Sequence, residues 1–114
     1  MFGHQQVEQV EPAEAAELQK SGAVLIDVRE DAEWAAGHAP DAVHVPLERV
    51  DDSVSRFTGQ RVLTVCRSGG RSGRAAEILG SAGIDVRNVA GGMSAWSELG
   101  LPVVVGDGSP GIVV

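Results

Sequence analysis

Short apolar runs recur along the chain, and between them apolar residues space out to a helical period. Val24-Leu25-Ile26 and Val62-Leu63-Thr64-Val65 are continuous and rich in β-branched residues, the pattern of strands buried on both faces. Residues 23–28 and 61–65 are therefore read as strands, with 85–89 as another, 42–45 as a short one ended by Pro46, and 6–10 as a weak candidate. Ala75, Ile78, Leu79 and Ala82 fall at i, i+3, i+4 and i+7, predicting a helix over 74–82 that Gly83 stops. Pro12 at a first helical position, with Glu14 in the first turn, opens a helix with Ala15 and Leu18 facing inward and Gly22 as its stop. Asp31 is placed to cap a short helix that carries Glu33 and Trp34 and ends at Gly37. Residues 47–57 read as one short helix with Asp51 and Asp52 on the solvated side. Gly91-Gly92 opens a last helix with Met93, Trp96 and Leu99 on one face, the glycines permitting a close backbone approach. Strands alternate with helices and no period of 20 to 50 residues repeats, so the class is α/β with a mainly parallel sheet. A chain of 114 residues is one domain.

Between the 61–65 strand and the 74–82 helix lies C-R-S-G-G-R-S, Cys66 to Ser72, which holds the chain's one thiol. The first N–H groups of a helix lack internal partners, and the aligned peptide dipoles add positive potential there. Gly69 and Gly70 allow the backbone to curl its N–H groups inward as a nest, and Arg67, Arg71 and Arg74 add full charges. Such a cradle favours the thiolate of Cys66. A thiol with a pKa of about 8.5 is about 3% ionised at pH 7, whereas one near about 6.5 is roughly 75% ionised. The competing account is a small buried core cysteine, the usual fate of a lone Cys at the end of an apolar strand. Two glycines and two arginines over 67–71 favour a reactive thiol instead.

These residues carry a resemblance. The segment Val24-Leu25-Ile26-Asp27-Val28-Arg29, then Glu33, Gly37-His38, Ala42 and Pro46, then the Cys66–Ser72 loop, then Gly91-Gly92 and Trp96 stand in the order and spacing of a single-domain rhodanese, the sulfurtransferase family. The match covers about residues 6–102, leaving a tail over 103–114 with no counterpart, expected to be partly ordered and to have no catalytic part. The resemblance implies a three-layer α/β/α domain with five strands in the order 1-5-4-2-3. Cys66 would then lie outside the carboxyl end of a central strand, where open α/β sheets place ligands. It also implies a sulfane sulfur moved through a Cys66 persulfide, from thiosulfate or a similar small anionic donor to cyanide or a thiol, with no cofactor. Residues Arg67, Ser68, Gly69, Gly70, Arg71 and Ser72 would form the binding loop. Arg71 is the arginine expected to fold into the cradle and Arg67 the exposed one, and either could instead pair with a local carboxylate. The family often has Asn where this chain has His44, a departure with no chemical consequence drawn.

Asp27, Arg29, Glu33 and His38 could be taken for acid/base machinery. They are read instead as groups that pair with each other and with loop backbone, because buried charges are usually partnered and a pre-ionised nucleophile needs no separate base. Trp34, Met93 and Trp96 are read as core. His4, His38 and His44 are scattered, and neither they nor the single cysteine offer metal-ligand spacing.

The net charge of −7, from 16 acidic against nine basic residues, argues against nucleic acid or an anionic membrane as partner. Three of those bases lie between 67 and 74, which fits a basic pocket for a small anion on an acidic body. The start M-F-G-H-Q-Q-V-E has neither the basic nor the apolar part of a signal peptide, no run approaches membrane-spanning length, and a free thiol suits a reducing compartment, so a cytoplasmic location is expected. Two other functions are compatible with the loop. One is a persulfide carrier or sensing module docking on a protein donor or acceptor. The other is a cysteine phosphatase or arsenate reductase, disfavoured because Cys66 and Arg71 enclose four residues, one fewer than in those loops.

Overall fold

The computed structural model describes residues 7–114. His4 and Gln6 lie outside the described residues. Five strands, β1 (Glu8–Val10), β2 (Val24–Asp27), β3 (Val43–His44), β4 (Arg61–Val65) and β5 (Asp85–Val89), form one sheet in the order β1-β5-β4-β2-β3. Every pairing is parallel. Parallel strands need crossovers, and helices supply them on both faces. On one face α1 (Pro12–Lys20) and α5 (Gly92–Glu98) cover Leu25, Leu63, Val65 and Val89. On the other, α3 (Val50–Ser53) and α4 (Gly70–Ser81) cover Ile26, Val28, Val62 and Cys66. The period-2 alternation of β4 thus turns Leu63 and Val65 towards α5 and Val62, Thr64 and Cys66 towards α4. That alternation decides which helix the sulfur meets.

Several elements differ from expectation, each for a local reason. Helix α4 starts at Gly70, four residues ahead of the expected 74, with Gly69 left-handed at φ 114° as its cap. Gly70 and Gly73 lower helix propensity enough to hide this first turn, but hydrogen bonding of Gly73 N–H to the Gly69 carbonyl (3.0 Å) closes it. The last three residues of the expected Cys66–Ser72 loop, Gly70 to Ser72, are therefore the helix N-terminus itself. The single helix expected over 47–57 is broken into a 3-10 turn (Leu47–Arg49), α3, and a second 3-10 turn (Val54–Arg56). Helix α2 (Asp31–Ala36) has Glu30 rather than Asp31 at its cap, and Glu33 accepts the Glu30 N–H at 3.0 Å. Leu99 is not on the inner face of α5. It follows the helix end before the Gly100 turn and is 60% exposed.

The 103–114 tail does not extend along the sheet. It folds back on itself through Val105 N–H to Ser109 O and Gly111 N–H to Val103 O (2.8 Å each). It then docks on the end of α2, with Val104 bridging His38 and Ile112 N–H donating to Ala36 O at 2.9 Å. Backbone approaches so close at Gly37 that a Cβ there would lie 2.4 Å from the Ile112 carbonyl oxygen. Among the described residues, no helix is long and apolar enough to cross a membrane.

Candidate functional site

Cys66 sits immediately after β4 and is 1% exposed. Its Sγ receives the Gly69 N–H at 3.1 Å and lies 3.2 Å from the Ser72 hydroxyl. Burial pushes its ionisation upward. The Ser72 hydroxyl and the backbone N–H groups of Ser72, Gly69 and Ser68 pull it down by more, so the thiol ionises below the ordinary range. The sulfur is thus walled in and still electrostatically favoured as an anion, because the wall is made of donors.

The second half of the cradle is held from outside. Gly91 and Gly92, at φ 74° and 60°, open α5, and the freed N–H groups of Met93 and Ser94 donate to the carbonyls of Cys66 (2.8 Å) and Arg67 (3.0 Å). A Cβ at Gly92 would lie 2.4 Å from the Cys66 carbonyl oxygen. Only glycine permits this approach at Gly92, while at Gly91 the left-handed backbone and the Ala95 Cβ, 2.6 Å from where a Cβ would stand, leave no room for a side chain. With its carbonyls turned towards α5, the loop has its N–H groups left for the sulfur side.

The expected supporting residues divide into two groups. Asp27 and Arg29 form a fully buried ion pair, with Arg29 Nη2 2.8 Å from Asp27 Oδ2 and also donating to the Gly37 carbonyl at 2.7 Å. They clamp the end of β2 to the end of α2 and do not reach the sulfur through any hydrogen bond. Glu33 instead meets Arg71, its two carboxylate oxygens 2.7 and 2.9 Å from the two terminal guanidinium nitrogens. The guanidinium holds the Glu33 carboxyl down at about 2, and the carboxylate, then the Cys66 charge, raise Arg71 further. Arg71 therefore keeps its charge near the sulfur while both ends of its fork are occupied by Glu33. Arg67 and Arg74 are exposed and form no ion pair with any described residue. His38 donates from Nδ1 to the Trp34 carbonyl (3.0 Å) and stacks on the Trp34 ring at 3.6 Å. His44 stacks on the other side at 4.8 Å and bonds the Arg29 carbonyl at 2.7 Å. Trp34 is thus half-buried between two imidazoles rather than in the core.

Two contributors escaped the sequence reading. Asn88 of β5 and Thr64 of β4, paired in sheet register, both bond Ser72: Thr64 Oγ1 donates to its carbonyl (2.9 Å) and Asn88 Oδ1 accepts its hydroxyl (2.5 Å). The available signal was a lone amide inside the Asp85–Val89 strand pattern. Among the described residues there is no cluster of three or more metal-ligating side chains.

The rhodanese-like domain family matches residues 11–99, most of the chain. The chain belongs to the rhodanese-like domain family. A protein named sulfurtransferase from Allochromatium vinosum is 39% identical over 87 residues, covering 75% of this chain and 81% of that one. The thiosulfate sulfurtransferase GlpE of Pseudomonas savastanoi pv. phaseolicola is 35% identical over 89 residues, covering 76% and 84%. The solved structure of a rhodanese-related protein from Thermoplasma volcanium superposes with a TM-score of 0.81 at 27% identity, over 87% of this chain and 99% of that one. The chain spans about half, 52%, of the length of a further relative, an uncharacterized protein of Synechocystis that is 36% identical over 94 residues.

Proposed function

We propose that this rhodanese-like domain is a sulfurtransferase in which Cys66 carries the sulfur. The observation that supports it is the placement of Cys66 Sγ at the start of α4, within reach of the Gly69 N–H and the Ser72 hydroxyl. The thiolate attacks the outer sulfur of thiosulfate or a similar sulfane donor. A sulfur–sulfur bond forms at Cys66, the donor's sulfur–sulfur bond breaks, and sulfite leaves with the electron pair. The negative charge passes to the outer sulfur of the persulfide, where loop N–H groups stabilise it. Cyanide or a thiolate then takes that sulfur and returns Cys66 as thiolate. Arg67, exposed and with no ion-pair partner among the described residues, is the arginine within the loop available for the donor's sulfonate. Arg71, tied to Glu33, contributes field rather than a direct contact.

The phosphatase reading is weakened by the same pair, since an arginine whose fork grips a carboxylate is not free to grip phosphate in that geometry. The carrier reading keeps the same persulfide and differs in its partner. The test is thiocyanate formation from thiosulfate and cyanide, with intact mass after each donor alone. Turnover with a one-sulfur mass gain, both absent in Cys66→Ser, is expected. Turnover retained in Cys66→Ser contradicts the assignment. A mass gain from a protein persulfide with no thiosulfate turnover replaces enzyme by carrier.

A further inference from the structure

Asn88 is buried, 3% exposed, level with Thr64 on one neighbouring strand and Gln9 on the other. Its Nδ2 lies 3.1 Å from the Gly69 carbonyl and 3.2 Å from Gln9 Oε1. A backbone carbonyl can only accept, which fixes the amide nitrogen on that side and leaves Oδ1 facing Ser72 Oγ at 2.5 Å. Since Oδ1 also can only accept, the Ser72 hydroxyl proton lies on the Asn88 side. A hydroxyl has one proton. The same Ser72 oxygen, 3.2 Å from Cys66 Sγ, then faces the sulfur with a lone pair and accepts the thiol's S–H.

We infer that Asn88 is a positioning residue for Cys66, competing with the Cys66 sulfur for the Ser72 hydroxyl proton. In the thiol the chain of donation runs from S–H to Ser72 Oγ and from its O–H to Asn88 Oδ1. When the thiol ionises, its proton leaves to solvent and the Ser72 hydroxyl turns from Asn88 to the sulfur. When the outer sulfur is added, the charge moves off Sγ and the hydroxyl returns to Asn88. Asn88 thereby favours both states with an uncharged Sγ over the thiolate, and so favours loading of sulfur onto Cys66. Thr64 keeps the pivot in place by holding the Ser72 carbonyl. The charged groups around the loop are Arg67 within it, Arg71 and Arg74 on α4, Glu33 of α2 behind Arg71, and the Asp27–Arg29 pair at the end of β2. None of them hydrogen-bonds to Ser72 or Asn88.

This inference rests on Cys66 as the sulfur carrier, but its test reads ionisation in the absence of any donor and stands whether or not sulfur is transferred. The thiolate absorbance of the one cysteine is titrated in the wild type, Asn88→Ala, Asn88→Leu (close in volume, without an acceptor), Ser72→Ala and the double variants. Freeing the hydroxyl for the thiolate should lower the midpoint in either Asn88 variant by about half to one unit, roughly three- to tenfold more thiolate on the acid side. Ser72→Ala should raise it, and on that background the Asn88 substitutions should have no effect. A midpoint unchanged or raised in the Asn88 variants, or lowered equally without the Ser72 hydroxyl, overturns the inference.

Discussion

Helices α4 and α5 each begin on glycine directly after adjacent parallel strands, each with a left-handed glycine at the cap, Gly69 at φ 114° and Gly91 at φ 74°. Their N-terminal N–H groups go to different partners. Those of α5 bind the Cys66 and Arg67 carbonyls at 2.8 and 3.0 Å, so they are saturated by the chain's own backbone. At α4 the Gly69 cap N–H donates to the Cys66 sulfur at 3.1 Å instead, and the Ser72 and Ser68 N–H groups also favour its charged form. A helix start is an anion site only when its donors have no carbonyl to meet, and here one helix start turns the carbonyls away so that the other remains open. The two glycine pairs look alike in sequence and are complementary in function.

The strongest way to break this arrangement is at α5. Gly92→Ala would drive a Cβ into the Cys66 and Arg67 carbonyls at a left-handed φ, a clash with backbone that cannot rotate away. A loss of about 3 kcal/mol in urea unfolding, together with loss of thiolate stabilisation, is expected. A variant as stable as wild type would mean the α5 contact does not hold the loop. At α4, Gly69→Ala meets only ordinary contacts, nearest 3.7 Å, so its cost is the left-handed backbone alone, about 1 to 2 kcal/mol. If Gly69→Ala proves the more damaging of the two in the same unfolding experiment, the roles assigned to the helix starts are reversed.

Glu33→Gln sharpens the comparison from the side, since Arg71 in the first turn of α4 is tied to α2 through this carboxylate. The folded value of Glu33 is lowered from 4.5 to about 2, so its contribution is full above about 4.5 and is lost as pH falls towards 2. The pair is partly exposed, which limits the loss at neutral pH to on the order of 1 kcal/mol. Stability curves of wild type and Glu33→Gln should converge between those pH values; parallel curves would remove the ion pair from the account. Arg67→Ala should leave stability almost unchanged and raise the KM for thiosulfate roughly two- to fivefold with kcat little altered. An unchanged KM would move donor binding to another cation, Arg74 first.

Much of this was legible in the sequence because it follows from pattern. Continuous apolar runs gave β2 and β4, Pro12 and Gly22 bracketed α1, and Gly91-Gly92 announced a close approach. The loop chemistry was legible because Cys, Gly and Arg residues crowd into it. What escaped depends on competition between local and tertiary terms. The first turn of α4 contains Gly70, Ser72 and Gly73, poor helix formers held by the Gly69 cap and by Thr64 and Asn88 beneath. Residues 47–57 carry no helical stop signal, yet they wind as separate short turns to place Val50 and Phe57 in the core. Arg71 could not be assigned between sulfur and carboxylate without the distance to Glu33, 38 residues away in sequence. The docking of the tail rests on backbone contact with Ala36 and Gly37, which leaves no side-chain signature.

At one sulfur atom, donors outweigh burial, and the proposed chemistry of Cys66 follows from that balance. The most direct measurement is the ionisation midpoint of Cys66, read from thiolate absorbance in the folded chain and again in the chain unfolded in urea. A midpoint lower in the folded chain is predicted. One equal to or above that of the unfolded chain would mean that the cradle buries the sulfur without stabilising its charge, and would contradict the account.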